Sequence, residues 1–157
     1  MSHSYQKSKK KETPMPAATP RIGFTDAYHA SRLQHVNGVT YPTTPAGTFL
    51  SIYAGNVPLS DGTGGNEATG TRPAITLGSP LKDVNGRYYM TNASAITGIA
   101  LGNASAEQLV GFGICGTATG GVPIYIGPLP APYQVQPNAT ITIPAGSIRV
   151  YAEGANF

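Results

Sequence analysis

The sequence predicts an all-β fold: an antiparallel β-sandwich or barrel-like domain with one short N-terminal helix, preceded by an extended N-terminal arm. Three observations carry this. Short runs rich in β-branched and aromatic residues recur along the chain, with turn signals every eight to twelve residues or so. Gly (20) and Pro (14) are about a fifth of the chain and fall between those runs, so they punctuate strands. The first 24 residues follow neither pattern. At 157 residues the chain suits one domain with a single core, residues 25–157.

Residues 1–24 read as the arm. Lys7, Lys9, Lys10 and Lys11 make its start basic, and Pro14, Pro16 and Pro20 favour an extended polyproline-like path. Fully extended, such a segment reaches on the order of 80 Å, enough to lie across a neighbouring subunit. These seven residues are the candidate interface residues. A short helix follows. Thr25 or Asp26 can cap it, Ala30, Leu33 and Val36 recur at helical spacing, and Asn37 with Gly38 supplies a left-handed stop.

The remainder reads as strands. Residues 48–54 precede a Gly55-Asn56 turn, and 73–78 form a second candidate. Residues 87–91 and 95–101 come next, introduced by the turn signal Asn85-Gly86. Residues 109–115 and 122–126 flank the turn-rich stretch 116–121, which predicts a hairpin. Alternation is cleanest at the end. Ile141 and Ile143 share one face of 140–143. Within 147–152, Ile148 and Val150 are expected to face in, with Arg149 and Tyr151 facing out. Residues 59–70 form the longest glycine-rich loop.

Only 11% of residues are charged, well below the quarter or so typical of a soluble domain. A surface this poor in charge is suited to facing other protein chains, including copies of itself in a ring or trimer. The net charge of +3 belongs to the first twelve residues. From Thr13 onward, six basic residues (Arg21, Arg32, Arg72, Lys82, Arg87, Arg149) are balanced by six acidic ones (Asp26, Asp61, Glu67, Asp83, Glu107, Glu153). The body shows no basic patch with interleaved aromatics, so a nucleic-acid partner is expected, if anywhere, only at the basic arm. No secretory h-region follows the N-terminal charge and no run is long enough to span a bilayer, so synthesis in a cytoplasm without a membrane partner is expected.

Residues capable of chemistry are sparse. Cys115 stands alone in an apolar run and reads as a buried small hydrophobe. His29 and His35 are six apart and do not share a helix face, which disfavours a metal site. Asp61 and Glu67 share the glycine-rich loop but lack the spaced ligands of a calcium loop. Residues 62–65 are followed by no Gly-Lys-Ser/Thr, so they do not form a phosphate loop. Asn92, Asn103 and Asn138 begin glycosylation-like triplets that carry no weight without a secretory signal. No catalytic residue, cofactor site or metal site is expected, and an enzyme is not. Tyr88, Tyr89, Tyr125 and Tyr133 could stack on sugars if exposed, which leaves a host-glycan or receptor-binding module as an alternative.

The ordered set of features resembles small tailed-phage virion proteins commonly labelled tail-fibre proteins. The resemblance rests on His35-Val-Asn-Gly38 after the helix, then Tyr41-Pro-Thr-Thr-Pro45 feeding residues 48–53, and the Gly62 to Gly70 loop with Glu67. It continues in residues 110–114 with the turn and Ile124-Tyr-Ile-Gly127, and in Ile143-Pro-Ala-Gly-Ser147. It covers residues 25–152 and not the arm. It implies a structural virion component of tail or fibre type, made in the host bacterial cytoplasm, whose partners are other virion proteins and copies of itself. A capsid decoration protein is the alternative address.

Overall fold

Strand β1 (Gly23–Phe24) begins the part of the chain that this computed structural model describes, namely residues 23–36, 38, 47–102, 108–136 and 138–152. Helix α1 (Asp26–Val36) follows at once. Thr25 is its N-cap: its carbonyl accepts from the amides of Tyr28 (3.0 Å) and His29 (3.1 Å), and Gly38 ends it with a positive φ of 81°. The strands are β2 (Phe49–Ala54), β3 (Leu81–Lys82), β4 (Tyr88–Thr91), β5 (Ile96–Ala100), β6 (Gln108–Cys115), β7 (Tyr125–Gln134), β8 (Thr140–Ile143) and β9 (Arg149–Tyr151). They form three antiparallel sheets among the described residues, in the orders β1-β7-β6-β2, β3-β4-β9 and β5-β8. The fold is all-β with one short helix, as the strand and turn pattern predicts.

One core joins the sheets. The four-stranded sheet supplies Leu50, Ile52, Leu109, Phe112 and Ile114. The two smaller sheets supply Ile96, Ile99, Ile143 and Val150. Register sets which residues these are. Leu50 pairs with Ile114 and Ile52 with Phe112 on the core face, which leaves Ser51, Tyr53, Gly111 and Gly113 on the other. That second face is also buried, although no further sheet of the described residues covers it. Instead the irregular chain between β2 and β3 folds over it. The glycines make the approach possible: a Cβ at Gly113 would lie 2.5 Å from Ser51 Oγ, and one at Gly111 would lie 2.2 Å from Val57 Cγ1.

The covering chain is fastened by Arg72, which is only 4% exposed. Its Nε donates to Glu67 Oε1 (2.7 Å) and its Nη2 to Glu67 Oε2 (2.8 Å). The remaining guanidinium hydrogens reach the carbonyls of Thr117 (3.3 Å), Gly120 and Gly121 (3.4 Å) in the β6–β7 loop. Its own amide donates to Ala118 O at 3.0 Å. Glu67 also accepts from the Thr69 hydroxyl (2.8 Å) and bridges to Tyr53 across the β2 edge. The hydrogen bonds to Glu67 raise the already high Arg72 pKa, so the pair is permanently ionic on the basic side.

Asn92 performs the matching task on the opposite side of the core. Its buried amide donates to Ser94 O (2.9 Å) and Pro144 O (2.8 Å) and accepts from Ile148 N (2.9 Å), which holds the β8–β9 turn against β4.

Several expectations are corrected. Residues 73–78 are not a strand of either sheet. They cross between two of them, bridging Phe49 through Ala74 and Asn92 through Leu77. The 116–121 hairpin forms, but β7 begins at Tyr125 and runs on through Pro128 to Gln134. Its prolines are tolerated because the register jumps from Gly111↔Pro128 to Leu109↔Tyr133, so that stretch has no ladder to feed. Tyr151 does not face outward to solvent; it is 9% exposed, sandwiched by neighbours described below.

Two predictions follow from the covered face. Arg72→Ala strands three loop carbonyls and a half-buried carboxylate, and is expected to cost about 3 kcal/mol in chemical denaturation; a loss under about 1 kcal/mol contradicts the fastening role. Burial pushes the Tyr53 phenol up from 10.0 to about 12, against the lowering effect of the Ser51 hydroxyl that donates to it (3.1 Å). The folded state therefore keeps this proton where the unfolded chain releases it. The resulting stability is full below pH 10 and is lost as pH rises towards 12, in all about 3 kcal/mol. Burial raises Tyr125 in the same direction. Tyr53→Phe should flatten, without abolishing, the alkaline decline of stability; an unchanged decline contradicts the assignment.

Candidate functional site

The residues with chemical potential are held in structural contacts and do not converge. Glu67 is engaged by Arg72 and Thr69, and Asp61 caps its own loop by accepting from the Thr63 amide (2.9 Å) and hydroxyl (2.8 Å). Those bonds, the amide first, hold the Asp61 carboxyl below its usual range. Cys115 is buried at 1% exposure, with Ser51 Oγ 3.5 Å from its sulfur, and desolvation pushes its thiol up, away from the reactive thiolate. The Asn92 side chain is enclosed in the core contacts above, and Asn103 lies outside the described residues. Among the described residues no group of three or more His, Cys, Asp or Glu could hold a metal, and no helix is long and apolar enough to cross a membrane.

What the fold does build is surface. The apolar stripe of α1 packs on none of the described residues: no residue of the helix is buried, with Leu33 73% and Val36 86% exposed. The helix is anchored at its start instead. The Tyr28 ring stacks on Phe24 at 4.4 Å, Phe24 meets Tyr125 edge-on at 5.2 Å, and Asp26 accepts from the Ser60 hydroxyl at 2.8 Å. Phe24 and Tyr28 meet because β1 runs almost directly into α1, which brings the first turn of the helix over the end of the strand.

Between that anchor and the β3-β4-β9 sheet lies a groove of about 490 Å³. Phe24, Tyr28 and Arg32 form one wall. Met90, Val150 and Ala152 line it from the sheet, and Pro80, Tyr88 and Tyr89 complete it. A second groove of about 510 Å³ lies over β8, bordered by Leu109, Leu129, Tyr133 and Ile141. Of the four tyrosines expected as sugar platforms, Tyr88 and Tyr89 thus share one groove and Tyr133 borders another. Tyr125 is 1% exposed and cannot stack on a ligand.

The outer side of the three-stranded sheet carries interleaved arginines and tyrosines. Arg149 lies over the Tyr89 ring (5.4 Å), Tyr89 packs on Tyr151 (5.6 Å) and Arg87 covers Tyr151 (4.8 Å). Lys82 lies over Tyr88 at 5.0 Å. Asp83 turns the β3–β4 hairpin, accepting from the amides of Asn85 and Arg87 and from Arg87 Nε, all at 2.9 Å; the Arg87 amide is the largest influence holding its carboxyl low. Arg32, Lys82, Arg87 and Arg149 therefore gather around one sheet although they are scattered in sequence. The expected interface residues Lys7, Lys9, Lys10, Lys11, Pro14, Pro16 and Pro20 all lie outside the described residues.

Among the described residues the loops are fastened, the reactive groups do not converge, and several apolar and aromatic surfaces are exposed. No curated protein matches the chain. The family model for podophage GP4 fiber I protein gp80 matches residues 23–151, from the first residue of β1 to the last of β9. The chain belongs to this family of phage fibre proteins.

Proposed function

We propose that this protein is a non-enzymatic subunit of the podophage fibre that assembles with copies of itself and with other virion proteins. Its β-domain packs through the uncovered face of α1 and the Arg/Tyr side of the β3-β4-β9 sheet. Residues 1–24 act as a docking arm, with Pro14, Pro16 and Pro20 supplying main-chain and ring contacts and Lys7, Lys9, Lys10 and Lys11 meeting an acidic surface. A closed ring or trimer suits identical chains of this kind. The polypeptide is made in the host cytoplasm before it joins the particle.

The observation that carries the reading is the exposure of Leu33 and Val36 on a chain with so few charges. Covering two such side chains contributes roughly 1.5–3 kcal/mol each, which is worth far more to an assembly than to the isolated domain. Tyr88 and Tyr133, both more than half exposed, extend the same argument to the two grooves.

The test is incorporation into particles. The double variant Leu33→Asp, Val36→Asp should keep the wild-type unfolding curve, because neither side chain is buried in the domain. It should be depleted from purified particles at least about tenfold. Deletion of residues 1–20 should deplete it separately. Full incorporation of both variants contradicts the proposal.

A further inference from the structure

The groove between α1 and the β3-β4-β9 sheet has a lining that selects among ligands. Its lining is largely carbon: Phe24, Pro80, Met90 and Val150, with the rings of Tyr28 and Tyr88. A saccharide brings a hydroxyl on almost every ring carbon, and each needs a partner once desolvated. Against that demand the groove offers the Arg32 guanidinium and the tyrosine hydroxyls. A polyproline-type segment makes the complementary demand. It has no internal hydrogen bonds and no proline N–H, its rings pack against aromatic faces, and its carbonyls need only a few donors.

We propose that this groove is a receptor for such a segment and that its occupant is residues 14–20 of this same polypeptide. The inference rests on the arm reading above and names the surface to which the arm docks. Tethering favours it. Only Arg21 and Ile22 separate Pro20 from Gly23, and the next residue, Phe24, is itself a wall of the groove. The tether from Pro20 to Phe24 is thus at most about 14 Å of chain, which gives the segment a high effective concentration at its own groove and at the groove of an adjoining copy. In a polyproline helix, residues 14–20 span about 19 Å.

Charge sets the limit of the docked segment. Arg32 lines the groove and Lys82 lies over the Tyr88 ring beside it, while Arg87 and Arg149 sit on the opposite face of the sheet with Tyr89 and Tyr151. Lys7, Lys9, Lys10 and Lys11 are repelled from this neighbourhood, so the prolines occupy the groove while the lysine run projects beyond it towards an acidic neighbour.

The full-length protein carries the test. Cysteines are introduced as Ala17→Cys on the arm and Pro80→Cys at the groove's rim. Native Cys115 is buried and does not compete. Under mild oxidation the pair should cross-link at least about fivefold more than a control pair, Ala17→Cys with Thr142→Cys on β8. Replacing Pro14, Pro16 and Pro20 by Ser should bring the yield down to the control. All variants are first required to show the wild-type cooperative unfolding in the reduced state. A band at monomer size places the arm in its own groove and a dimer band places it in a neighbour's; either supports the assignment. Yields equal to the control, or indifferent to the prolines, overturn it. So does magnetisation transfer from a host-surface polysaccharide to Tyr88, which assigns the groove to a sugar. Because incorporation of the arm deletion is read independently, the groove can fail while the arm's role in assembly stands.

Discussion

The buried guanidinium of Arg72 is the contact on which the architecture depends. A four-stranded sheet with glycines at alternate positions of its central strand is thin on one side, and among the described residues no second sheet covers that side. The chain between β2 and β3 covers it with loops, and loops held only by van der Waals contact would pay their conformational entropy with little return. Five donors aimed at one carboxylate and three carbonyls fix the geometry in a way that apolar packing of the same small area cannot. The polar layer beneath it, Ser51, Tyr53 and Cys115, is buried with its hydrogen bonds in place and stays uncharged near neutral pH. The result is a rigid body in which few polar groups are left for chemistry.

Rigidity on one side leaves the other features free to be surface. The helix is attached at Phe24 and Tyr28 and offers its apolar stripe outward. The three-stranded sheet is small, and its tyrosines are covered by arginines and a lysine in place of a packed layer. For an isolated domain these would be liabilities. On the proposed function they are the places where neighbours would add the missing layer, and the low charge of the body would lower the electrostatic cost of bringing identical copies together.

Much of this was legible from residues alone, wherever local pattern and burial coincide. Alternation placed β8 and the inward Ile148 and Val150. The Asn85-Gly86 signal placed the β3–β4 turn, and the apolar run around Cys115 placed β6 with its buried thiol. What was hidden depends on contacts distant in sequence. Residues 73–78 have strand-like composition but divide their bonds between two sheets. β7 contains prolines that argue against a strand unless the bulge is known. Leu33 and Val36 have helical spacing whether or not anything covers them. Arg72 and Glu67, five apart in a loop, carry no pattern that distinguishes a buried bidentate pair from two solvated charges. The Arg/Tyr sheet was invisible for the same reason, because Tyr89 and Arg149 are brought together only by the β4–β9 register.

The most direct measurement of the central claim is an electron cryo-microscopy map of the virion, at a resolution that places this domain and its neighbours. An assembling fibre subunit requires the Leu33–Val36 face of α1 and the Arg/Tyr side of the β3-β4-β9 sheet to lie against other protein chains, with the Glu67–Arg72 side turned outward or indifferent. A map in which both surfaces face open solvent in every copy would contradict the account.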